Sequence, residues 1–348
     1  MKQDFVYPLL AWYAANKRSL PWRDQKNAYY TWVSEIMLQQ TRVEAVKPYF
    51  ARFIAELPDV QALALCPEDK LMKLWEGLGY YNRVRNMQKA AIQVMEEHNC
   101  VLPASYEALL SLKGIGNYTA GAIASIAYGI PVPAVDGNVL RVISRLTENP
   151  GDIMKQSVRR QVEQELGEVI PKDRAGDFNQ AMMEIGAMVC VPNGAPKCEE
   201  CPIRSCCLSA IHGTVDMYPV KSGKKERTVQ ELTVLLIQDG ALTALKKRPE
   251  RGLLAGLYEL PNIPGHLDQE ETIQYVESLG LEPLHIESLG EAKHIFTHIE
   301  WRMIGYKIRV SSLTEPDIPE MLFVGRKKTA EELAVPSAFR AYAKHMHR

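Results

Sequence analysis

Residues 109–129 read LLSLKGIGNYTAGAIASIAYG. Two apolar-periodic stretches flank Gly114-Ile115-Gly116, and their three- and four-residue spacing predicts two helices joined by a tight turn. The glycines permit the hairpin, and the backbone N–H groups that open the second helix are left free. Such a helix N-terminus binds a phosphate without basic side chains, which makes Gly114 and Gly116 candidate contacts to a phosphodiester backbone. In most chains, however, a Gly-x-Gly between helices is only a turn.

The helical pattern continues on both sides of this hairpin. DFVYPLLAWYAANK, YYTWVSEIMLQQ, VEAVKPYFARFIAEL, DKLMKLWEGL and RVRNMQKAAIQVMEEH each carry apolar residues at helical spacing. Pro67 opens one helix, Gly77 and Gly79 end it, and Ser105 caps the segment that enters the hairpin. An all-α domain is expected over residues 1–215. DMYPVKSGKKERT, residues 216–228, is polar, basic and turn-rich, as a linker is. Beyond it, ELTVLLIQDGALTALKKR predicts a strand, an Asp-Gly turn and a strand. A helix over 268–279, a strand near EWRMIGYKIRV and a terminal helix after Pro336 complete an α+β domain over 229–348. The chain is read as multi-domain, α followed by α+β.

The 348 residues are 46% hydrophobic, enough for two cores, and no run of 18 apolar residues predicts a membrane span. Net charge is −1. Divided after Lys221, the chain has 24 Lys and Arg against 24 Asp and Glu, then 17 against 18, which sum to the overall 41 and 42. Global charge gives no support for a polyanionic ligand, so nucleic-acid binding has to rest on local geometry.

Five of seven cysteines fall in CVPNGAPKCEECPIRSCC, residues 190–207, while Cys66 and Cys100 read as small buried side chains. An odd count in a long chain, with no apolar leader before DFVYPLL, argues against a secreted disulfide scaffold. Clustered thiolates in a reducing cytoplasm bind metal. Cys198 and Cys201 form a C-x2-C pair, Cys190 lies upstream and Cys206 or Cys207 follows. Spacing alone leaves one Zn²⁺ and one [4Fe–4S] cluster as equal alternatives.

Hairpin, downstream Asp136 and cysteine loop, in this order, resemble the endonuclease III superfamily, whose helix–hairpin–helix element matches L-x-G-I-G-x-Y-T-A. LPWR (20–23), SEIMLQQT (34–41), GLGYYNRVRN (77–86) and VDGNVLRV (135–142) resemble its MutY-type adenine DNA glycosylase branch, over nearly all of residues 18–207. The resemblance implies a [4Fe–4S] cluster held by Cys190, Cys198, Cys201 and Cys207, with Cys206 a spare. The family spacing is C-x6-C-x2-C-x5-C; here seven residues separate the first pair, and the loop is expected to absorb the extra one.

Removing adenine from a sugar needs a general acid for the purine and a carboxylate facing the oxocarbenium-like sugar. Glu35 sits in an apolar helix where desolvation should keep it protonated near neutrality, whereas Asp136, at a helix start, is expected to stay ionised. The resemblance further implies that Tyr118 and Asn138 bond around the aspartate and sugar, and that Trp22, Arg23, Leu38 and Glu184 form the adenine pocket. Gln39 and Tyr80 match residues that enter the base stack. Tyr118 stands where bifunctional relatives place a Schiff-base lysine, which implies a monofunctional glycosylase.

The second domain resembles a Nudix-like domain without the R-E-x-x-E-E box, so Glu270 and Glu271 are read as a solvated helix face and the domain as a recognition module. Phe296, Thr297 and His298 fall where the family has Phe-Ser-His, the loop that reads 8-oxoguanine opposite adenine. The expected partner is double-stranded DNA with A:8-oxoguanine or A:G mispairs, bound by a cytoplasmic monomer. Two alternatives are an endonuclease III-like enzyme for damaged pyrimidines, opposed by Tyr118, and a non-catalytic iron–sulfur DNA-binding or redox protein, opposed by the pair Glu35 and Asp136.

Overall fold

Helices form where the apolar spacing and caps predict them. In the computed structural model, which describes residues 3–223, 226–240, 242–314, 318 and 320–346, the chain divides into two compact units. One is Met1–Leu65 with Arg85–Gly223, the other Cys66–Val84 with Lys224–Arg348. The segment 66–84 thus leaves the helical text around it and packs with the C-terminal part.

The helices before the hairpin are α1 (Val6–Asn16), α2 (Ala28–Leu38), α3 (Val43–Glu56), α4 (Val60–Ala64), α5 (Glu68–Trp75) and α6 (Asn82–Glu97). The hairpin itself is α7 (Tyr106–Ser111) and α8 (Asn117–Tyr128), followed by α9 (Gly137–Thr147), α10 (Gln156–Val169), α11 (Ala175–Met188) and α12 (Leu208–His212). Ser105 accepts from the Ala108 N–H as the cap of α7. Gly114 takes φ +77, and a side chain there would come within 2.6 Å of Asn86 Cβ, so the hairpin needs glycine for both backbone and space. One core of the first unit is built by α1, α9, α10 and α11, around Leu9, Leu140, Ile143, Phe178 and Ile185.

The second unit holds a mixed sheet. Strands are β1 (Thr228–Gln238), β2 (Leu242–Lys247), β3 (Tyr258–Glu259), β4 (Asn262–Pro264), β5 (Pro283–Ile295), β6 (Ile299–Val310) and β7 (Met321–Gly325). The order is β3-β2-β1-β6-β5, with β4 also on β1 and β7 on β2. β1 and β6 run parallel, Thr233 opposite Ile304, and the other pairings are antiparallel. The unbroken apolar run of β1 has a physical cause: both faces are covered. Leu232, Val234 and Leu236 enter one core with Trp301, Phe339 and Tyr342, while Leu235 and Ile237 enter another with Val276 and Ile308. Helix α13 (Gln269–Ser278) starts in a capping box of Asp268 and Glu271. Glu271 is therefore a helix-starting residue as well as a solvated one. After Pro336 the expected helix is a single turn, Ser337–Phe339, continued by a short α-helix, Arg340–Ala343.

Candidate active site

Glu35 lies on α2, a helix buried on almost every side from Tyr29 to Met37 and capped by Asn27, whose side chain accepts from the Tyr29 and Tyr30 N–H groups. The glutamate is only 6% exposed. Burial, with Asp136 close by, pushes its pKa up to about 7, against the opposing pull of the Tyr118 hydrogen bond and of Arg23. Tyr118, on the first turn of α8, donates its hydroxyl hydrogen to Glu35 Oε2, and the same hydroxyl is 3.3 Å from Met183 Sδ on α11.

Asp136 is the N-cap of α9. Its Oδ1 accepts from the Val139 N–H at 2.8 Å and its Oδ2 from Asn138 Nδ2 at 2.7 Å. Burial moves its pKa upward, opposite to the helix-end effect alone, while these hydrogen bonds and Arg141 pull it back. Among the described residues Glu35 accepts one such hydrogen bond, from Tyr118. The segment leading to Asp136 is fixed by the buried Asn179, which donates to Val132 O at 2.9 Å and accepts from the Ala134 N–H at 3.0 Å. Asn138 in turn accepts from Arg141 Nη2, and Arg141 donates to Gly186 O and Cys190 O, each at 2.8 Å. α11 approaches closely enough for this because position 186 is glycine: a Cβ there would lie 2.7 Å from Asn138 Cβ.

Glu184, on α11, is wholly buried. Arg23 Nη1 meets Oε1 at 2.6 Å and Arg18 Nε meets Oε2 at 2.8 Å, which neutralises it twice over. Arg18 carries one faint signal in the sequence: a glutamate at a core position of a helix requires cations. Trp22 is buried with its ring edge-on to Phe50 at 5.3 Å. Leu38 ends α2, half-buried, and Gln39 follows as its C-cap. Gly116 is the extended N-cap of α8; its carbonyl accepts from the Ala120 N–H at 2.9 Å, and it offers no side-chain cap to the first turn.

Tyr80 and the candidates at Phe296–His298 lie in the other unit. Tyr80 is half-exposed on a turn at φ +49, after Gly77 and Gly79. Arg83 donates to Leu78 O and Gly79 O and lies 5.3 Å from the centre of the Tyr80 ring. Phe296, Thr297 and His298 form the β5–β6 turn, closed by the Phe296 N–H on Ile299 O. Phe296 packs edge-on to His294 and Trp301, while the Thr297 hydroxyl meets the Tyr80 hydroxyl at 3.1 Å.

In the cysteine loop, Cys190, Cys198, Cys201 and Cys207 all line one pocket, with Arg145, Val189 and Ile203, and Cys206 is outside it. The seven residues after Cys190 fold back through Gly194 (φ +75) and a Lys197 N–H bond to Val189 O, so the longer spacing returns Cys198 to the pocket. Burial first, then the three other thiols, push the Cys201 pKa up to about 11. Thiols packed this way ionise together only around a cation. Arg145 Nη1 already donates to Cys190 Sγ at 3.3 Å. Among the described residues no group of three or more His, Cys, Asp or Glu is spaced to hold a single metal ion.

Residues 33–172 match the HhH-GPD superfamily of base excision DNA repair proteins, and residues 233–345 match the NUDIX domain. The adenine DNA glycosylase of Rattus norvegicus is 34% identical over 400 residues, covering 97% of this chain and 77% of the relative. The chain belongs to the adenine DNA glycosylase family. A shorter family member, from Buchnera aphidicola subsp. Baizongia pistaciae, is 33% identical and covers 85% of this chain and 83% of its own length. Among solved structures, a thermostable thymine-DNA glycosylase aligns with a TM-score of 0.53 at 25% identity, over 60% of this chain and 96% of that one. An endonuclease III in a non-covalent DNA complex aligns with a TM-score of 0.52 at 24% identity, over 61% and 98%, which shows the shared helical fold. The expected all-α helix–hairpin–helix domain and Nudix-like α+β domain are both present.

Proposed function

We propose that this chain is a monofunctional glycosylase that flips adenine out of duplex DNA, where it is mispaired with 8-oxoguanine or guanine, and hydrolyses its N-glycosidic bond. The observation that carries this reading is Glu35, a buried carboxyl poised near pH 7 beside the hydrogen-bonded Asp136. The named relatives support adenine as the base removed.

Glu35 in its acid form gives its proton to N7 of the flipped adenine, so the C1′–N9 bond breaks with its electron pair on a neutral leaving group. Asp136 faces the cationic sugar, its charge held in place by Asn138 and the start of α9, and water completes the hydrolysis at C1′. Arg23, Glu184, Trp22 and Leu38 shape the base pocket. Gln39 and Tyr80 fill the stack, and the Gly114–Gly116 turn takes a phosphate. No lysine stands at position 118 to form a Schiff base, so strand cleavage is not part of the reaction. The turn at Phe296–His298, with Thr297 against Tyr80, reads the base opposite adenine.

Cys190, Cys198, Cys201 and Cys207 would hold a [4Fe–4S] cluster, which when bound fixes this loop as a DNA-facing element. Cysteine spacing leaves zinc open; the motif order shared with the endonuclease III superfamily favours the cluster, and the four thiols line one pocket without Cys206. Such thiolates suit a reducing cytoplasm, and the protein acts there as a monomer on DNA. Residues 1–215 supply the chemistry and 229–348 the recognition, joined by 216–228, with the Tyr80 segment working alongside the second.

The test is incubation with duplexes carrying A:8-oxoguanine, A:G or thymine glycol, followed by alkali. Strand breaks at adenine, appearing only after alkali, support the reading; breaks at thymine glycol or before alkali would overturn it.

A further inference from the structure

The Tyr118 hydroxyl has one hydrogen and, among the described residues, two acceptors within reach: Glu35 Oε2 and Met183 Sδ, the latter at 3.3 Å. When Glu35 is ionised, the hydrogen belongs on its carboxylate. When Glu35 carries its proton on Oε2, that proton points at the Tyr118 oxygen, and the tyrosine hydrogen has to turn elsewhere. In a dry site a hydroxyl left without an acceptor is costly.

We propose that Met183 is a positioning residue of this reaction: its sulfur accepts the Tyr118 hydrogen while Glu35 holds its proton, and returns it as that proton leaves. A thioether is a weak acceptor, which suits a partner that has to be released. The Glu35 O–H turns from the Tyr118 oxygen to adenine N7 and gives up its proton there; the Tyr118 hydrogen then swings from sulfur to the new carboxylate, so the conjugate base gains a donor as it forms. No bond other than the Glu35 O–H is broken on the protein.

The charged groups around this relay are accounted for. Glu35 on α2 meets Tyr118 from α8, Asp136 from the start of α9 and Arg23 from the segment before α2. Glu184, the neighbour of Met183 on α11, is occupied by Arg18 and Arg23. Asp136 faces Tyr118 as well, but its oxygens are engaged by Val139 and Asn138. The raised pKa of Glu35 agrees with a site that accommodates the acid form.

The inference rests on the reading of Glu35 as general acid, and the experiment separates the two. Single-turnover adenine release from an A:8-oxoguanine duplex is followed from pH 5.5 to 9 with full-length wild type, Met183→Leu, Tyr118→Phe, the double variant and Glu35→Gln. Leucine keeps the volume and removes the acceptor, so the acid form of Glu35 loses support. The alkaline limb should move down by about half a pH unit, roughly a threefold loss at pH 8, whatever happens to the plateau. In the Tyr118→Phe background the same substitution should leave the midpoint where it is. An unmoved midpoint in Met183→Leu, a uniform loss at every pH, or an equal shift in both backgrounds overturns the proposal. Wild-type rates from Glu35→Gln overturn the acid itself instead.

Discussion

The hydroxyls of Tyr80 and Thr297 meet at 3.1 Å across 217 residues of chain. Both belong to the unit formed by Cys66–Val84 with Lys224–Arg348, so Tyr80 and the β5–β6 turn share one framework. Thr297→Ala and Tyr80→Phe should each reduce the preference for A:8-oxoguanine over A:G by several-fold, about the value of one hydrogen bond, and the double variant should add little to either. Thr297→Ser should preserve the preference. Full additivity in single-turnover rates would show that the two hydroxyls act separately.

The same framework sets what removing residues 224–348 should do. Lys73 donates to Leu333 O at 3.0 Å and the Val335 N–H to Glu76 at 2.9 Å, so the Tyr80 segment would lose its anchors too. Loss of the 8-oxoguanine preference should be accompanied by fast amide exchange over residues 68–81 and a slower A:G reaction. Protected amides there in the truncated protein would mean that the segment is held by the first unit alone.

Glu35 predicts a pH dependence with a definite sign. Its folded pKa, near 7, lies above the value of a free glutamate, so the folded state binds the extra proton. Base release should be present below that pH and fall above it. Stability should also fall as pH rises from about 4.5 through 7, by on the order of 1 kcal/mol per pH unit at most. Glu35→Gln should lose roughly 10²-fold or more in base release while binding duplex normally. It should also melt with less pH dependence than wild type between pH 5 and 8. Parallel melting curves for the two proteins would place the titrating group elsewhere.

Buried Glu184 depends on two arginines. Replacing both Arg18 and Arg23 by methionine should destabilise the protein by about 3–5 kcal/mol, because a wholly buried carboxylate is left unpaired. Adding Glu184→Gln to that pair should restore part of the loss. Denaturant midpoints that stay constant through the series would show that solvent reaches the carboxylate.

Purified protein should be yellow-brown and contain iron; Cys198→Ser should lose both along with duplex binding, and Cys206→Ser should keep all three. Zinc in the wild type, or a colourless Cys206→Ser, would reassign the ligands.

Much of this was legible in the sequence because it is local. Apolar spacing, the Ser105 cap and the Gly114 turn fix helices from residues a few positions apart, and Asp136 at a helix start needs no distant information. What escaped depends on partners far along the chain. Nothing in NKRSL says that Arg18 answers a glutamate 166 residues later, or that α5 packs with the C-terminal part. β5 is hidden in the sequence for another reason: it lies at the sheet edge, exposed at about two positions in three and interrupted by a bulge between Ser288 and Gly290. An edge strand wetted on both faces shows no two-residue alternation.

The bonds from Lys73 to Thr329 O and Leu333 O span 256 and 260 residues. On a ribosome adding roughly 5–20 residues per second, those partners emerge about ten to fifty seconds after the helix they hold. Early synthesis therefore yields a segment bearing Tyr80 whose anchors do not yet exist, and the second unit closes only when the chain is nearly complete. Translational pausing in the last third of the message, or an early stop there, should strike this segment first, though its own codons lie in the first quarter.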